Sequence, residues 1–146
     1  EGWRAVMGVN LDGAFWGCRA AIRLMAQDGH GGSLINISST AAQSGEGPVH
    51  YVTSKAALIG LTRGLAREVA ARGIRVNAVA PGPVDTGLLS RMIEGQVPLQ
   101  VIADSVPLKR IAQPAEIANA LLWLASDGAS YVTGETLVID GGITQA

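Results

Sequence analysis

The chain has a single cysteine, Cys18, in 146 residues. One thiol cannot close an internal disulfide, and no metal-type cysteine spacing exists. Cys18 lies in an apolar helical stretch and reads as a small core residue. No run of about 18 apolar residues occurs, so no segment reads as a membrane-spanning helix. No basic run occurs either, and the formal net charge is −1. Nothing in the charge therefore favours nucleic acid or an anionic membrane as a partner. The start, Glu1-Gly2-Trp3-Arg4, has neither a signal-peptide pattern nor an initiator methionine. The expectation is a chain that begins part-way through a longer protein or has been trimmed. Internal repeats and low-complexity segments are lacking too. What remains is 48% hydrophobic and 16% charged, inside the globular range. A chain of this size fits one domain and can bury roughly two-thirds of its unfolded surface.

Apolar spacing supplies the elements. Trp3, Val6, Met7, Leu11, Phe15, Cys18, Ile22 and Met25 recur at steps of mostly three and four, which predicts a helix from Trp3 to Met25. Asn10 interrupts that stripe, and its amide competes for backbone groups. Asp28 to Gly32 is a turn, and His30 within it reads as a solvated loop residue. Ser33 to Ile37 is short, apolar and flanked by glycine and serine, so it reads as a buried strand. A small-residue loop, Ser38 to Pro48, leads into a long helix from about Val49 to Arg72. Leu58, Leu61, Leu65 and Val69 form its apolar stripe, and Gly73 stands at a left-handed cap position. Ile74 to Ala80 is a second strand, stopped by Pro81-Gly82-Pro83. The stretch from Asp85 to Lys109 is mixed; Leu88 to Ile93 could form a short helix within a substrate loop or lid. Pro114 opens a helix to about Ala125, and Thr136 to Ile139 is a third strand. Strands separated by full helices pair in parallel through right-handed crossovers. The fold class is α/β, with a three-stranded parallel sheet.

Tyr51 and Lys55 lie four residues apart on the long helix and share one face. A free tyrosine holds its proton to a pH of about 10. An ammonium beside it stabilises the phenolate, and such a pair can give a proton to a carbonyl oxygen or take one from an alcohol. Most Tyr-xxx-Lys pairs are simply solvated helix surface; the surroundings give this one weight. The strand before it ends in Ser38-Ser39, and hydroxyls at the C-terminal end of a parallel strand stand where α/β proteins bind ligands. A serine there can hydrogen-bond and orient a reacting oxygen. The next strand ends at the same edge in Ala80-Pro81-Gly82-Pro83, where glycine permits close approach.

Asn36-Ile-Ser-Ser39, Tyr51-Val-Thr-Ser-Lys55, Arg75-Val-Asn77 with Pro81-Gly82-Pro83, and the ending Tyr131-Val-Thr-Gly134 through Asp140-Gly141-Gly142 resemble the short-chain dehydrogenase/reductase family. The resemblance runs from about Trp3 to Gly142. It implies a partial Rossmann-like, doubly wound parallel sheet, with residues 1–146 as the C-terminal catalytic part of a single nucleotide-binding domain. It implies an oxidoreductase that uses NAD or NADP and a small carbonyl or alcohol substrate, such as a 3-oxoacyl thioester, a sugar or a small alcohol. It also implies a cytoplasmic homodimer or homotetramer. Tyr51 corresponds to the family's acid/base, and Lys55 would stabilise its phenolate and hold the nicotinamide ribose. Asn10 matches the asparagine that supports a water link to that lysine. Pro81 to Thr86 resembles the segment around the nicotinamide: Pro81 and Gly82 line it, the Val84 backbone meets the carboxamide, and Thr86 lies near the phosphates. For the serine the motif aligns Ser39, whereas the usual spacing to Tyr51 falls on Ser38. Adjacent strand residues face opposite ways, so only one can serve. A shortened loop is cheaper than a shifted register, which favours Ser39.

A dinucleotide needs a glycine-rich turn between a first strand and a helix N-terminus. No such segment is present, nor is the residue that would choose between NAD and NADP. The expectation is a chain that binds cofactor weakly or not at all by itself, with an uncovered edge on the Ser33–Ile37 strand and an uncovered apolar face on the first helix. A non-enzymatic alternative is an inactive fragment serving as an oligomerisation or interaction module. Ala56, Gly60 and Gly64 recur at steps of four on the long helix and would allow close helix approach, or else face a crowded core.

Overall fold

A computed structural model describes residues 2–87, 89, 91 and 97–145, with residue 28 described by its backbone alone. The first helical stretch is α1 (Gly2–Met7), a π turn (Gly8–Asp12) and α2 (Gly13–Asp28), run together without a break. It extends past the expected Met25 because the left-handed stop stands at Gly29, with φ 69°. The π turn is centred on Asn10, where the apolar stripe is interrupted. Cys18 and Ile22 are buried, whereas Trp3, Phe15 and Trp16 are exposed. The expected uncovered face is thus confined to part of the helix.

β1 (Gly32–Ile37) follows, then a single turn α3 (Ala41–Ser44) inside the expected loop, then α4 (Val49–Val69). A 3-10 turn (Ala70–Arg72) tightens the end of α4, and Gly73 takes the left-handed conformation, φ 70°. β2 (Ile74–Pro81) runs one residue beyond expectation. Leu88 to Ile93 lies mostly outside the described residues. Beyond it, α5 (Leu99–Ser105) is an element the sequence reading did not separate from its surroundings. α6 (Pro114–Ala125) and β3 (Thr136–Ile139) have the expected bounds. Glu116 caps α6, its carboxylate accepting from the Gln113 N–H at 2.8 Å.

The strands form one parallel sheet in the order β1-β2-β3. Gly32 to Ile37 pair with Ile74 to Val79, and Ala78 to Pro81 with Thr136 to Ile139. The outer edge of β1 has no strand partner among the described residues. β2 is covered on both faces, as its nearly unbroken apolar run requires. Ile74 and Val76 pack with Ile22, Ala66 and Val69 from α2 and α4. Val79, pointing the other way, packs with Ile117 and Leu124 of α6 and with Ala129. Each such fully buried aliphatic side chain stabilises the fold by roughly 1.5–3 kcal/mol. Helices on both faces of a parallel sheet make the expected doubly wound arrangement. No helix among the described residues is long and apolar enough to cross a membrane.

Candidate active site

The C-terminal ends of β1 and β2 and the first turns of α4 open onto one cavity of about 600 Å³. Ser38, Ser39, Tyr51, Lys55, Pro81, Gly82, Val84 and Thr86 all line it. Of the residues named from sequence, only Asn10 stands outside the lining.

Tyr51 enters the cavity from the first turns of α4. The N–H groups of a first helical turn lack intrahelical partners; that of Tyr51 donates to Nδ1 of His50 at 2.8 Å. Lys55 follows one turn later. Its ammonium donates to the Ile37 carbonyl at the end of β1, 2.9 Å away, and stands 5.7 Å from the centre of the Tyr51 ring. That is cation–π range, so the charge bears directly on the phenol. Partial burial pushes the Lys55 ammonium below its ordinary value.

The two serines follow the end of β1 and differ in their hydrogen bonds. Ser38 is buried, and its hydroxyl donates to the Lys55 carbonyl at 2.8 Å. It is committed to holding α4 against β1. Ser39 is half-buried, and its hydroxyl accepts from the Ala41 N–H at 3.2 Å, which leaves its own proton to donate.

Asn10 acts through a neighbour. Its amide donates to the Ser54 hydroxyl at 3.0 Å, and Ser54 donates to the Tyr51 carbonyl at 2.8 Å. Ser54 is wholly buried. The π turn thus grips α4 between Tyr51 and Lys55. Ser54 escaped the sequence reading, although its spacing of three from Tyr51 is the signal for a serine that bonds back to its own helix.

Pro81 to Val84 form the opposite wall. Gly82 donates to the Ile139 carbonyl at 2.9 Å. A Cβ on Gly82 would come within 2.7 Å of the Asp140 Cβ and 2.8 Å of its Cα. Val84 bridges to Ala112, with the Asp85 N–H donating to Ala112 and the Ala112 N–H to Pro83. Asp140 accepts from the Gly142 N–H at 2.8 Å, and from the Thr144 N–H and hydroxyl at 2.9 and 2.6 Å. Burial alone would raise its carboxyl, but the Thr144 and Gly142 bonds prevail and hold it below the usual range.

Arg75 and Asn77 are scaffold. The Arg75 guanidinium donates to the carbonyls of Leu124 at 2.8 Å and Ser126 at 3.2 Å. The Asn77 amide donates to Val132 at 2.9 Å and accepts from the Glu135 N–H at 3.1 Å. Asn36, in the same motif as Ser39, is buried between Thr62 and Cys18; it donates to Thr62 at 2.9 Å and accepts from the thiol at 3.3 Å. Burial pushes the Cys18 thiol up, against the lowering effect of its bond to Asn36, which fits an inert core cysteine. Among the described residues no cluster of His, Cys, Asp and Glu could hold a metal.

Known proteins share this arrangement. A family model described as Enoyl-(Acyl carrier protein) reductase matches residues 1–144. Galactitol 2-dehydrogenase (L-tagatose-forming) of Cereibacter sphaeroides is 46% identical over 145 residues, covering 97% of this chain and 57% of the relative. A 3-oxoacyl-[acyl-carrier-protein] reductase of Thermotoga maritima is 41% identical over 144 residues, with 98% of this chain and 57% of the relative covered. A solved short-chain type dehydrogenase/reductase from Mycobacterium marinum superposes with a TM-score of 0.91 at 36% identity, over 99% of this chain and 57% of that one. The chain spans just over half the length of these relatives.

Proposed function

Because the chain belongs to the short-chain dehydrogenase/reductase family of oxidoreductases, we propose that its protein moves hydride between a nicotinamide cofactor, NAD or NADP, and a small carbonyl or alcohol substrate. The observation that carries this reading is the convergence of Tyr51, Lys55 and Ser39 with the Pro81–Val84 backbone on one cavity. Its volume of about 600 Å³ lies in the range of small-molecule sites. The residues fit the nicotinamide-ribose half of a dinucleotide: an ammonium and a phenol at one side, close backbone at the other. Lys55, Tyr51, Pro81, Gly82, Val84 and Thr86 would hold it. When bound, that group supplies or accepts the hydride.

The chain's own residues handle the proton. Tyr51 gives its phenolic proton to the carbonyl oxygen during reduction, and takes it from the hydroxyl during oxidation. Lys55 stabilises the phenolate that results. Ser39 donates to the reacting oxygen and holds it within reach of Tyr51. Asn10, through Ser54, keeps the first turns of α4 in place. The substrates named for the relatives, a hexitol and a 3-oxoacyl thioester, are both secondary alcohol–ketone pairs, which is the chemistry this pair suits.

Oligomer formation through α4 belongs to the same proposal. Ala56, Gly60 and Gly64 are exposed, and a Cβ on either glycine would meet nothing within 4 Å. The stripe does not face a crowded core, so a second copy could approach closely there. The test of the main reading is Tyr51→Phe in the full-length protein. Turnover should be lost with nicotinamide binding retained; a variant that still turns over substrate would refute it.

A further inference from the structure

Acid–base chemistry leaves one charged group of the cavity unused. Among the described lining residues, Glu46 and Lys55 are the charged ones. Lys55 serves Tyr51. Glu46 belongs to the short connection between α3 and α4, whose shape is fixed by its neighbours. Gly45 is left-handed, φ 76°, and donates to the Ala41 carbonyl at 3.0 Å. The Glu46 N–H donates to the Ser44 hydroxyl at 3.2 Å. Gly47 has φ 114°, and a Cβ there would sit 4.0 Å from Cδ1 of Tyr51. Two glycines in conformations that other residues resist thus bracket Glu46, which is exposed and lines the cavity. Its carboxylate makes no hydrogen bond or ion pair with any described side chain.

The remaining lining is apolar wall, with Ile37, Ile117 and Leu121 among it, and hydroxyls such as Ser44 and Thr144. A carboxylate only accepts hydrogen bonds, and its two oxygens can take two adjacent hydroxyl donors. It repels phosphate and carboxylate groups.

We propose that Glu46 determines substrate class: it accepts hydrogen bonds from hydroxyls next to the reacting carbon, and so selects neutral polyhydroxylated alcohols and ketoses over acyl thioesters borne on phosphate-containing carriers. This rests on the hydride-transfer reading above. In that step the carbinol C–H bond breaks, both electrons leave with hydrogen as hydride to the nicotinamide, and the hydroxyl proton passes to Tyr51. Glu46 exchanges neither proton nor electron. Its contribution is to binding.

The experiment compares the full-length protein with Glu46→Gln, which keeps the shape and removes the charge. The probes are D-sorbitol and the coenzyme A thioester of 3-oxobutanoate. Loss of one charge-assisted bond should raise the sorbitol KM about tenfold, with the effect on KM rather than kcat. The thioester KM should stay level or fall. A second measurement avoids turnover altogether: calorimetric binding of sorbitol to Tyr51→Phe and to the double variant Tyr51→Phe/Glu46→Gln, with the same loss expected. Unchanged sorbitol KM and affinity would overturn the assignment while leaving the hydride reading intact. So would a parent protein that turns over the thioester alone. Where the parent turns over neither probe, the calorimetric pair decides for or against Glu46 by itself.

Discussion

Gly82→Ala tests the geometry of the proposed cofactor wall most directly. The backbone of Gly82 is not left-handed, so alanine can adopt its conformation, and the effect of the change is contact alone. The new methyl would meet the Asp140 Cβ at 2.7 Å and Cα at 2.8 Å. Cα atoms cannot rotate away. Ordinary contact begins at 3.4 Å, so the Pro81–Val84 segment and the end of β3 must part by about 0.7 Å. Asp140 resists, because three bonds from Gly142 and Thr144 hold its carboxylate. The Gly82 N–H bond to Ile139, 2.9 Å, lies across the same gap and stretches with it. Overpacking of this kind costs about 1–3 kcal/mol. For a domain of this size that lowers the melting temperature by several degrees, on the order of 5 °C. Displacement of the wall by most of an ångström would also reach a nicotinamide held as proposed, and a shift of that size can cost about tenfold or more in kcat/KM. The assays are thermal unfolding and steady-state kinetics with varied nicotinamide concentration, on the full-length protein. Gly87→Ala is the control, since a Cβ there meets nothing within 4 Å. A Gly82→Ala protein that melts within about 1 °C of the parent, with its cofactor KM unchanged, would refute the argument.

Two more expectations concern acid and assembly. The Arg110 guanidinium and the Gln113 N–H hold Glu116 down to about 2, from a usual 4.5. A depressed folded value gives stability that is complete above pH 4.5 and is lost as pH falls toward 2; the lowered Asp140 adds a loss of the same sign. Denaturant midpoints taken from pH 6 down to 3 should therefore fall less steeply for Glu116→Gln than for the parent, and parallel curves would contradict this. Gly60→Ala removes a flexible residue from the interior of α4 where the methyl meets nothing. It should stabilise the isolated subunit by roughly 0.5–1 kcal/mol. The same methyl would hinder a second copy, so gel filtration should show a smaller species; a raised midpoint with unchanged elution would remove α4 from the contact.

The parts of the fold that were legible in the sequence are those where a local signal and the packing agree. Pro114 and Glu116 mark the start of α6 by chemistry that acts within one turn. β2 reads as a doubly buried strand because six of its eight residues are apolar. The π turn left only the trace of Asn10, since a wider helical turn requires no particular composition. α5 did carry a signal: Pro98 precedes Leu99, Ile102, Ala103 and Val106, at helical steps, and the last two are buried. The mixed composition of residues 85–109 obscured that pattern. In the site, the Tyr51–Lys55 spacing predicted that both side chains share one helix face, and both line the cavity. Ser54 left only its spacing from Tyr51 as a trace, and Glu46 left none. One is defined by a contact 44 residues away in sequence, and the other by glycine conformations that composition alone does not reveal.

The strand order sets when the site can exist during folding. β1 and β2 pair residues about forty positions apart, and β2 and β3 residues nearly sixty apart. Parallel pairs close such loops before any contact rewards the closure, which makes them slow to form. Tyr51 and Lys55 share a helix and can be neighbours early. Ser39 and the Pro81–Val84 wall join them only once β1 has found β2, and Gly82 finds Ile139 only when β3 docks. The Tyr51–Lys55 neighbourhood is thus a local product of the chain, whereas the cavity around it belongs to the last events of folding.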